Sequence, residues 1–283
     1  MREPLRVVVA TGESAAQRYL VARLAKEFDL AGVIVHAPKQ PSGTLFDRIR
    51  RYATPARAFR YLRTQRLTAR YEARSAALID ALFRIDESPD VPAIRVEDIN
   101  APEAVAFVRK LAPDILCVNG TNLLREPMFA LIPSLPFGII NLHTGLSPYS
   151  RGGNCNLFML LEGHPELVGI TIHYIDRGID SGDIIITARA PVEADDTYEA
   201  VEAKNYRLGI DLMLVALRQL AEGRAARVKQ WEEGKLFLRR TGYVYEPSLR
   251  VKANRLIEQG LLRDYLQHRE ERDRNVRLVG ELS

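Results

Sequence analysis

An α/β fold, a mostly parallel and twisted sheet flanked by helices, is what this sequence predicts, and two observations carry the prediction. The run "LRVVVA" (Leu5–Ala10), a turn at "TGES", a helical stretch to about Phe28 and "LAGVIVH" (Leu30–His36) read as strand, helix, strand. That spacing is a βαβ unit, which implies parallel strands. Later, "PAIRVEDI", "DILCVNG" (Asp114–Gly120) and "GIINLH" (Gly138–His143) continue the alternation of apolar runs with helical segments.

Between Pro38 and Asp90 this rhythm stops, and the chain becomes rich in arginine. Three pieces, "TLFDRIRRYA", "ARAFRYLRTQRL" and "RSAALIDALFR", read as two or three amphipathic helices, a helical insertion over about 38–90. In "INAPEAVAFVRKL", Asn100 is the expected N-cap and Pro102 falls in the first turn. A short helix around Pro127–Ile132 links the next two strands, and "VGITIHYI" and "GDIIITARA" follow as further strands. The clearest helix begins at "DDTYEAV". Asp196 and Glu199 are expected to form its capping box, with Val201, Leu208, Leu212 and Val215 on one stripe and Gly223 closing it. A short strand-like piece and a charged helical tail then make a small C-terminal extension.

Composition narrows the classes. The 283 residues are 47% hydrophobic and 27% charged, an ordinary globular balance. The N-terminus reads as a first strand rather than a signal peptide, and no run of 18 apolar residues predicts a membrane span. Cys117 and Cys155 form no framework and lack metal spacing, so neither metal nor disulfide is expected and a reduced, cytoplasmic setting is. The net charge is a mild +4, and 33 of the 40 basic residues are arginine. A GC-rich genome gives the same bias, so nucleic-acid binding is not expected from it. The aromatic and arginine residues of Tyr52–Tyr71 read as a packed, solvated helix pair.

In open parallel sheets ligands sit at the carboxyl ends of strands, and three strands here end in polar groups. One ends in Asn119-Gly120-Thr121-Asn122. Another ends in Asn141-Leu142-His143, whose two-residue spacing puts the amide and imidazole on one face with Leu142 opposite. A third runs through Ile175 into "DRGIDSGD", which supplies Asp176, Asp180 and Asp183. An amide, an imidazole and a carboxylate at one edge provide an oxyanion donor, a proton carrier and an orienting base. Asn119 suits closing a turn as well as touching a ligand, and His173 suits a supporting role as well as a direct one.

The ordered set "PDILCVNGTNLL…GIINLHTGLSPYSRGG…GITIHYIDRGIDSGDII" resembles the catalytic domain of formyltransferases that use 10-formyltetrahydrofolate. The matching pieces are Asn141 and His143, "LSP" at Leu146–Pro148, "RG" at Arg151–Gly152, and Asp180-Ser181-Gly182, with His173 in a "T-x-H" strand. The resemblance implies a Rossmann-like catalytic domain over 1–223, with 224–283 as an extension forming an acceptor pocket or dimer interface. It implies that Asn141 donates to the oxyanion, that His143 shuttles the amine's proton, and that Asp180 sets the histidine's protonation. It places the folate against Gly120, Asn122, Leu123, Asp176 and Ile179, and the acceptor near Ser147, Tyr149 and Arg151.

The acceptor is approached by elimination. In the family it resembles, the purine branch carries a Gly-rich phosphate grip, the tRNA branch a following β-barrel domain and the hydrolases a preceding regulatory domain; "ATGESAAQ" has one glycine, and neither extra domain is expected here. These departures point to the branch that N-formylates amino sugars on a nucleotide carrier. The partner expected is therefore a small-molecule amine, with no nucleic acid or membrane and with room for a homodimer. Hydrolysis of the folate, methionyl-tRNA or another small amine as acceptor stand as alternatives.

Overall fold

The first strand, β1 (Arg6–Thr11), runs through the middle of the molecule, with Val7, Val8, Val9 and Ala10 wholly buried. A strand apolar on both faces belongs inside a parallel sheet covered by helices on both sides. The structure, a computed structural model, describes residues 4–38 and 54–280. Helix α1 (Ala15–Glu27) starts at Ser14, which forms a capping box with Gln17, and leads to β2 (Asp29–His36), parallel to β1. Then come β3 (Ala93–Val96), α3 (Pro102–Leu111), β4 (Ile115–Asn119), the short α4 (Glu126–Phe129) and β5 (Ile139–His143). The sheet has seven strands in the order β3-β2-β1-β4-β5-β7-β8, where β7 is Ile170–Tyr174 and β8 is Ile184–Ala188. Its first five strands pair in parallel, while β5–β7 and β7–β8 are antiparallel. Successive strands are added in opposite senses on either side of the β1–β4 pair, the point where such sheets open a crevice.

The insertion departs from expectation. Instead of two or three helices, Pro55–Leu82 is one continuous helix, α2, of 28 residues. No glycine or proline interrupts the sequence after Pro55, so nothing breaks the hydrogen-bond ladder. The expected piece "TLFDRIRRYA" lies outside the described residues. Only Tyr71 and Ser75 of α2 are buried, bonded to Glu258 and Thr197 respectively.

Two caps also move. The N-cap of α3 is Ala101, not Asn100. The Asn100 carboxamide instead accepts from the Arg125 N–H (2.6 Å) and donates to the Leu123 carbonyl (2.9 Å), so a tertiary contact outcompetes the local cap. The long helix α6 (Tyr198–Ala221) is capped by Thr197, whose hydroxyl accepts from the Ala200 N–H at 3.1 Å. Asp196 and Glu199 form no box, because Asp196 pairs with Lys204 and Glu199 with Arg250. Val201 and Leu212 are buried as expected, and the half-buried Leu208 and Val215 pack on the core that holds Leu212.

After Gly223 the chain folds back. Strand β9 (Lys235–Phe237) pairs with β6 (Ser150–Gly152), and α7 (Pro247–Glu258), α8 (Leu261–Gln267) and α9 (Arg269–Asp273) follow. Phe237, Ala253, Ile257 and Leu262 share an apolar cluster with α5 (Cys155–Leu161) and Val201. Among the described residues no helix is long and apolar enough to cross a membrane.

Candidate active site

A cavity of about 690 Å³ opens at the carboxyl ends of β4 and β5. Strand alternation builds its centre. Ile140 and Leu142 are buried behind β5, while Asn141 and His143 face the cavity. Antiparallel β7 sets His173 directly opposite Asn141. The imidazole Nδ1 of His173 is 2.8 Å from the Tyr174 carbonyl, a contact that requires a proton on Nδ1. In the neutral ring Nε2 is then an acceptor, and the Asn141 amide donates to it at 3.2 Å.

Asp180 reaches the same point from the loop after β7. Its Oδ1 accepts from the Asn141 amide at 3.3 Å, and its Oδ2 accepts from the Gly152 N–H at 2.9 Å. That Oδ2 is also 3.5 Å from His143 Nδ1, while His143 Nε2 is 3.3 Å from the Ser150 carbonyl. One proton on a neutral imidazole cannot serve both acceptors, whereas an imidazolium donates to both. The ring is thus held where a proton taken up on either nitrogen meets a waiting oxygen. Burial lowers the His143 pKa, and the Asp180 charge opposes that shift. Burial pushes Asp180 the other way, but the adjacent His143 and His173 imidazoles and the hydrogen bond from the Gly152 N–H outweigh it. The carboxyl is therefore held well below its usual range, as a permanent anion.

The cavity walls gather Gly120, Asn122, Leu123, Asp176 and Ile179 together with Asn141, His143 and Asp180. Asn122 turns its carboxamide away, accepting from the Ile99 N–H at 3.0 Å and donating to Asp98 at 2.7 Å. Asp176 spends one oxygen on the Gly178 N–H and the Ser181 hydroxyl. Both side chains organise their loops. Leu123 stays 58% exposed in the wall, beside Phe129 and Ile175.

Ser147, Tyr149 and Arg151 do not line this cavity. Ser147 is wholly buried, and its N–H donates to the Thr171 hydroxyl at 2.8 Å. The Tyr149 hydroxyl accepts from the Arg277 N–H at 2.7 Å, and Arg151 donates to the Glu233 carbonyl at 2.8 Å. All three anchor the loop to the C-terminal segment or to β7.

Sequence reasoning passed over Gln17 and Tyr206, both of which line the cavity. The Tyr206 hydroxyl donates to Asn119 Oδ1, and the Asn119 amide donates to the Leu142 carbonyl at 3.1 Å. Asn119 thereby braces the ends of β4 and β5. The Gln17 carboxamide accepts from the Ser14 N–H at 2.9 Å and reaches the Asn119 carbonyl at 3.5 Å. It lies so close over the main chain that a Cβ on Gly12 or Gly120 would meet it at 2.6 and 2.3 Å. The crevice between β1 and β4 is filled by this amide. The one sequence signal for Gln17 was its place three residues after Ser14, which announces a cap and not a cavity wall. No metal-binding cluster of His, Cys, Asp or Glu occurs among the described residues.

An amide, a buried imidazole and a fixed carboxylate converging at strand ends define a site suited to acyl-type group transfer. A formyl transferase family model matches residues 7–217, and the chain belongs to that family. Methionyl-tRNA formyltransferase of Akkermansia muciniphila is 32% identical over 154 residues, 54% of this chain and 48% of that relative. The same enzyme of Geobacter sulfurreducens is 30% identical over 141 residues, 50% of this chain and 44% of that one. The chain thus spans about half the length of the curated relatives it matches. Among solved structures, phosphoribosylglycinamide formyltransferase from Anaplasma phagocytophilum superposes with a TM-score of 0.54 at 16% identity, covering 83% of this chain and 99% of that one. A sugar N-formyltransferase candidate from Mycobacterium tuberculosis gives 0.52 at 21%, covering 84% and 76%. At these identities the likeness is one of fold.

Proposed function

We propose that this protein transfers a formyl group from 10-formyltetrahydrofolate to a primary amine, and that the amine belongs to an amino sugar on a nucleotide carrier. The observation that carries the reading is the convergence of Asn141, His143 and Asp180 in one cleft. The cleft suits the folate: its volume falls in the ordinary range for ligand sites, about 300–1,000 Å³. Leu123, Phe129 and Ile175 offer apolar surface to a flat ring, and the main chain of Gly120–Leu123 and Asp176–Ile179 offers polar edges. When bound, the folate supplies an activated formyl carbon.

The chain's own groups do the rest. The Asn141 amide is the donor for the oxygen on which charge develops. His143, neutral near pH 7 because it is buried, accepts the amine's proton and passes it on to the leaving nitrogen. Asp180 holds the ring and offsets its charge while the proton is on it. Among the described residues Arg125 is the one lysine or arginine that lines the cavity, and over Gly12 and Gly120, between β1 and β4, it is the neutral Gln17 amide that lies against the main chain. This favours an acceptor that presents hydroxyls there over one that presents a phosphate monoester.

Methionyl-tRNA is the second reading, favoured by the relatives' names and by the exposed arginines of α2, among them Arg60, Arg63, Arg66 and Arg70. The test supplies the purified chain and 10-formyltetrahydrofolate with a panel of nucleotide-linked amino sugars, and separately with charged initiator tRNA. Mass spectrometry should show one formyl group gained by a sugar. Formyl gain on the tRNA alone would replace the amino-sugar assignment. Formate release with no acceptor would replace transfer by hydrolysis.

A further inference from the structure

We infer that Gln230, in the C-terminal segment, is a positioning residue for Asp180; the inference rests on the role proposed above for that carboxylate. Asp180 has a positive φ of +46°, a conformation that costs a non-glycine residue about 1–2 kcal/mol. The loop's own bonds to the Asp176 side chain, from the Gly178 N–H and the Ser181 hydroxyl, do not engage the carbonyls of Asp180 and Gly182. Gln230 meets both. Its single Nε2 donates to the Asp180 carbonyl at 2.8 Å and to the Gly182 carbonyl at 3.0 Å. Two protons on one planar amide fix the spacing of the two carbonyls, and with it the turn between them.

The amide is itself held rigidly. Val228 exchanges backbone hydrogen bonds with Ile184 at 2.7 and 2.9 Å. Arg227 pairs with Asp183 at 2.9 Å and lies over the Tyr174 ring. Further along, β9 pairs with β6, and it is the Gly152 N–H of β6 that holds Asp180 Oδ2. The C-terminal segment therefore grips Asp180 twice, by its main chain through Gln230 and by its carboxylate through β6. A residue beyond the end of α6 is built into the turn that aims the carboxylate at His143.

The experiment uses the full chain. Gln230→Met keeps the length and removes both donors, and Gln230→Glu keeps the shape and replaces donors with acceptors. Misplacing a catalytic group by about 1 Å can cost about a hundredfold, so kcat should fall tenfold to a hundredfold in both, with KM for 10-formyltetrahydrofolate within about twofold. NMR titration of the imidazoles should show the His143 midpoint moving down, since the nearby anion that raises it is withdrawn. A merely structural residue would not move that midpoint. Lys229→Ala, which alters the exposed side chain next to Gln230, should leave kcat within about twofold. If both Gln230 variants keep kcat and the His143 midpoint while Asp180→Asn loses about a hundredfold, the inference is overturned. If Asp180→Asn itself keeps full activity, the role of Asp180 falls and the inference falls with it.

Discussion

Asn141 and His143 ride on a strand whose reverse face is packed solid, while Asp180 sits on a left-handed turn held by hydrogen bonds from distant segments. The strand pair is aimed by period-two alternation, with Ile140 and Leu142 as its counterweight. The carboxylate is aimed by Gly152, Gln230 and the close approach of Gly182 to Tyr174. The contrast teaches that strand-borne groups inherit their geometry from the core. A loop-borne group depends on a few polar contacts that can be lost singly while the fold survives.

Four measurements would break or sharpen that contrast. His143→Ala should lower turnover by about a hundredfold to ten-thousandfold with the far-ultraviolet circular dichroism unchanged; activity within tenfold of wild type would remove His143 as the proton carrier. Gly182→Ala comes next. A Cβ there would lie 1.8 Å from the Tyr174 carbonyl, so the turn must shift. Turnover should fall by about tenfold to a hundredfold, with thermal stability reduced only slightly, and an unchanged rate would show the loop to be more adaptable than argued.

The strand side should answer in the opposite currency. Leu142→Ala empties space behind the site and should cost about 2–5 kcal/mol of stability, read by chemical denaturation, with the residual folded enzyme within tenfold of wild-type turnover. Equal losses in both quantities would erase the distinction between the two supports.

The smallest effect is a matter of pH. Behind the strand, Glu202 on α6 accepts from Asn156 at 3.2 Å, and burial pushes it up to about 7 against that hydrogen bond and the Arg250 charge. A carboxyl raised in the fold favours the folded state while protonated, and that contribution is lost as pH rises through about 7. Glu202→Gln should therefore stabilise the protein by roughly 2–3 kcal/mol at pH 8, with no difference near pH 4. His143 and Asp180 have depressed values and act with the opposite sign, losing stability as pH falls. A Glu202→Gln protein no more stable than wild type at pH 8 would contradict the burial argument.

Much of this was legible in the chain itself. The βαβ opening, the strand at Gly138–His143 and the shared face of Asn141 and His143 follow from local periodicity, and the structure has them. Periodicity is a property of neighbours in sequence, so it survives without knowledge of the fold. The caps at Asn100 and Asp196 did not follow, because Arg125 and Lys204 compete for those side chains from outside the local window. The same holds for Gln17 and Tyr206, whose place in the cavity wall depends on α1 and α6 converging on the end of β4. The acceptor-side residues Ser147, Tyr149 and Arg151 sit next to the site in sequence, yet Ser147 is buried with its N–H on Thr171 of β7, and the side chains of Tyr149 and Arg151 turn to the C-terminal segment.

By itself, then, the sequence determined the βαβ opening and the shared face of the two strand-borne groups, because each is written in residues less than a helix or strand apart, and it pointed to the family through short motifs kept in order. The tertiary structure decided how Asp180 is aimed, what fills the β1–β4 crevice and what the C-terminal segment touches. Those depend on contacts such as Gln230 to Asp180, 50 residues apart, and pairings at that range leave no period in the chain to read.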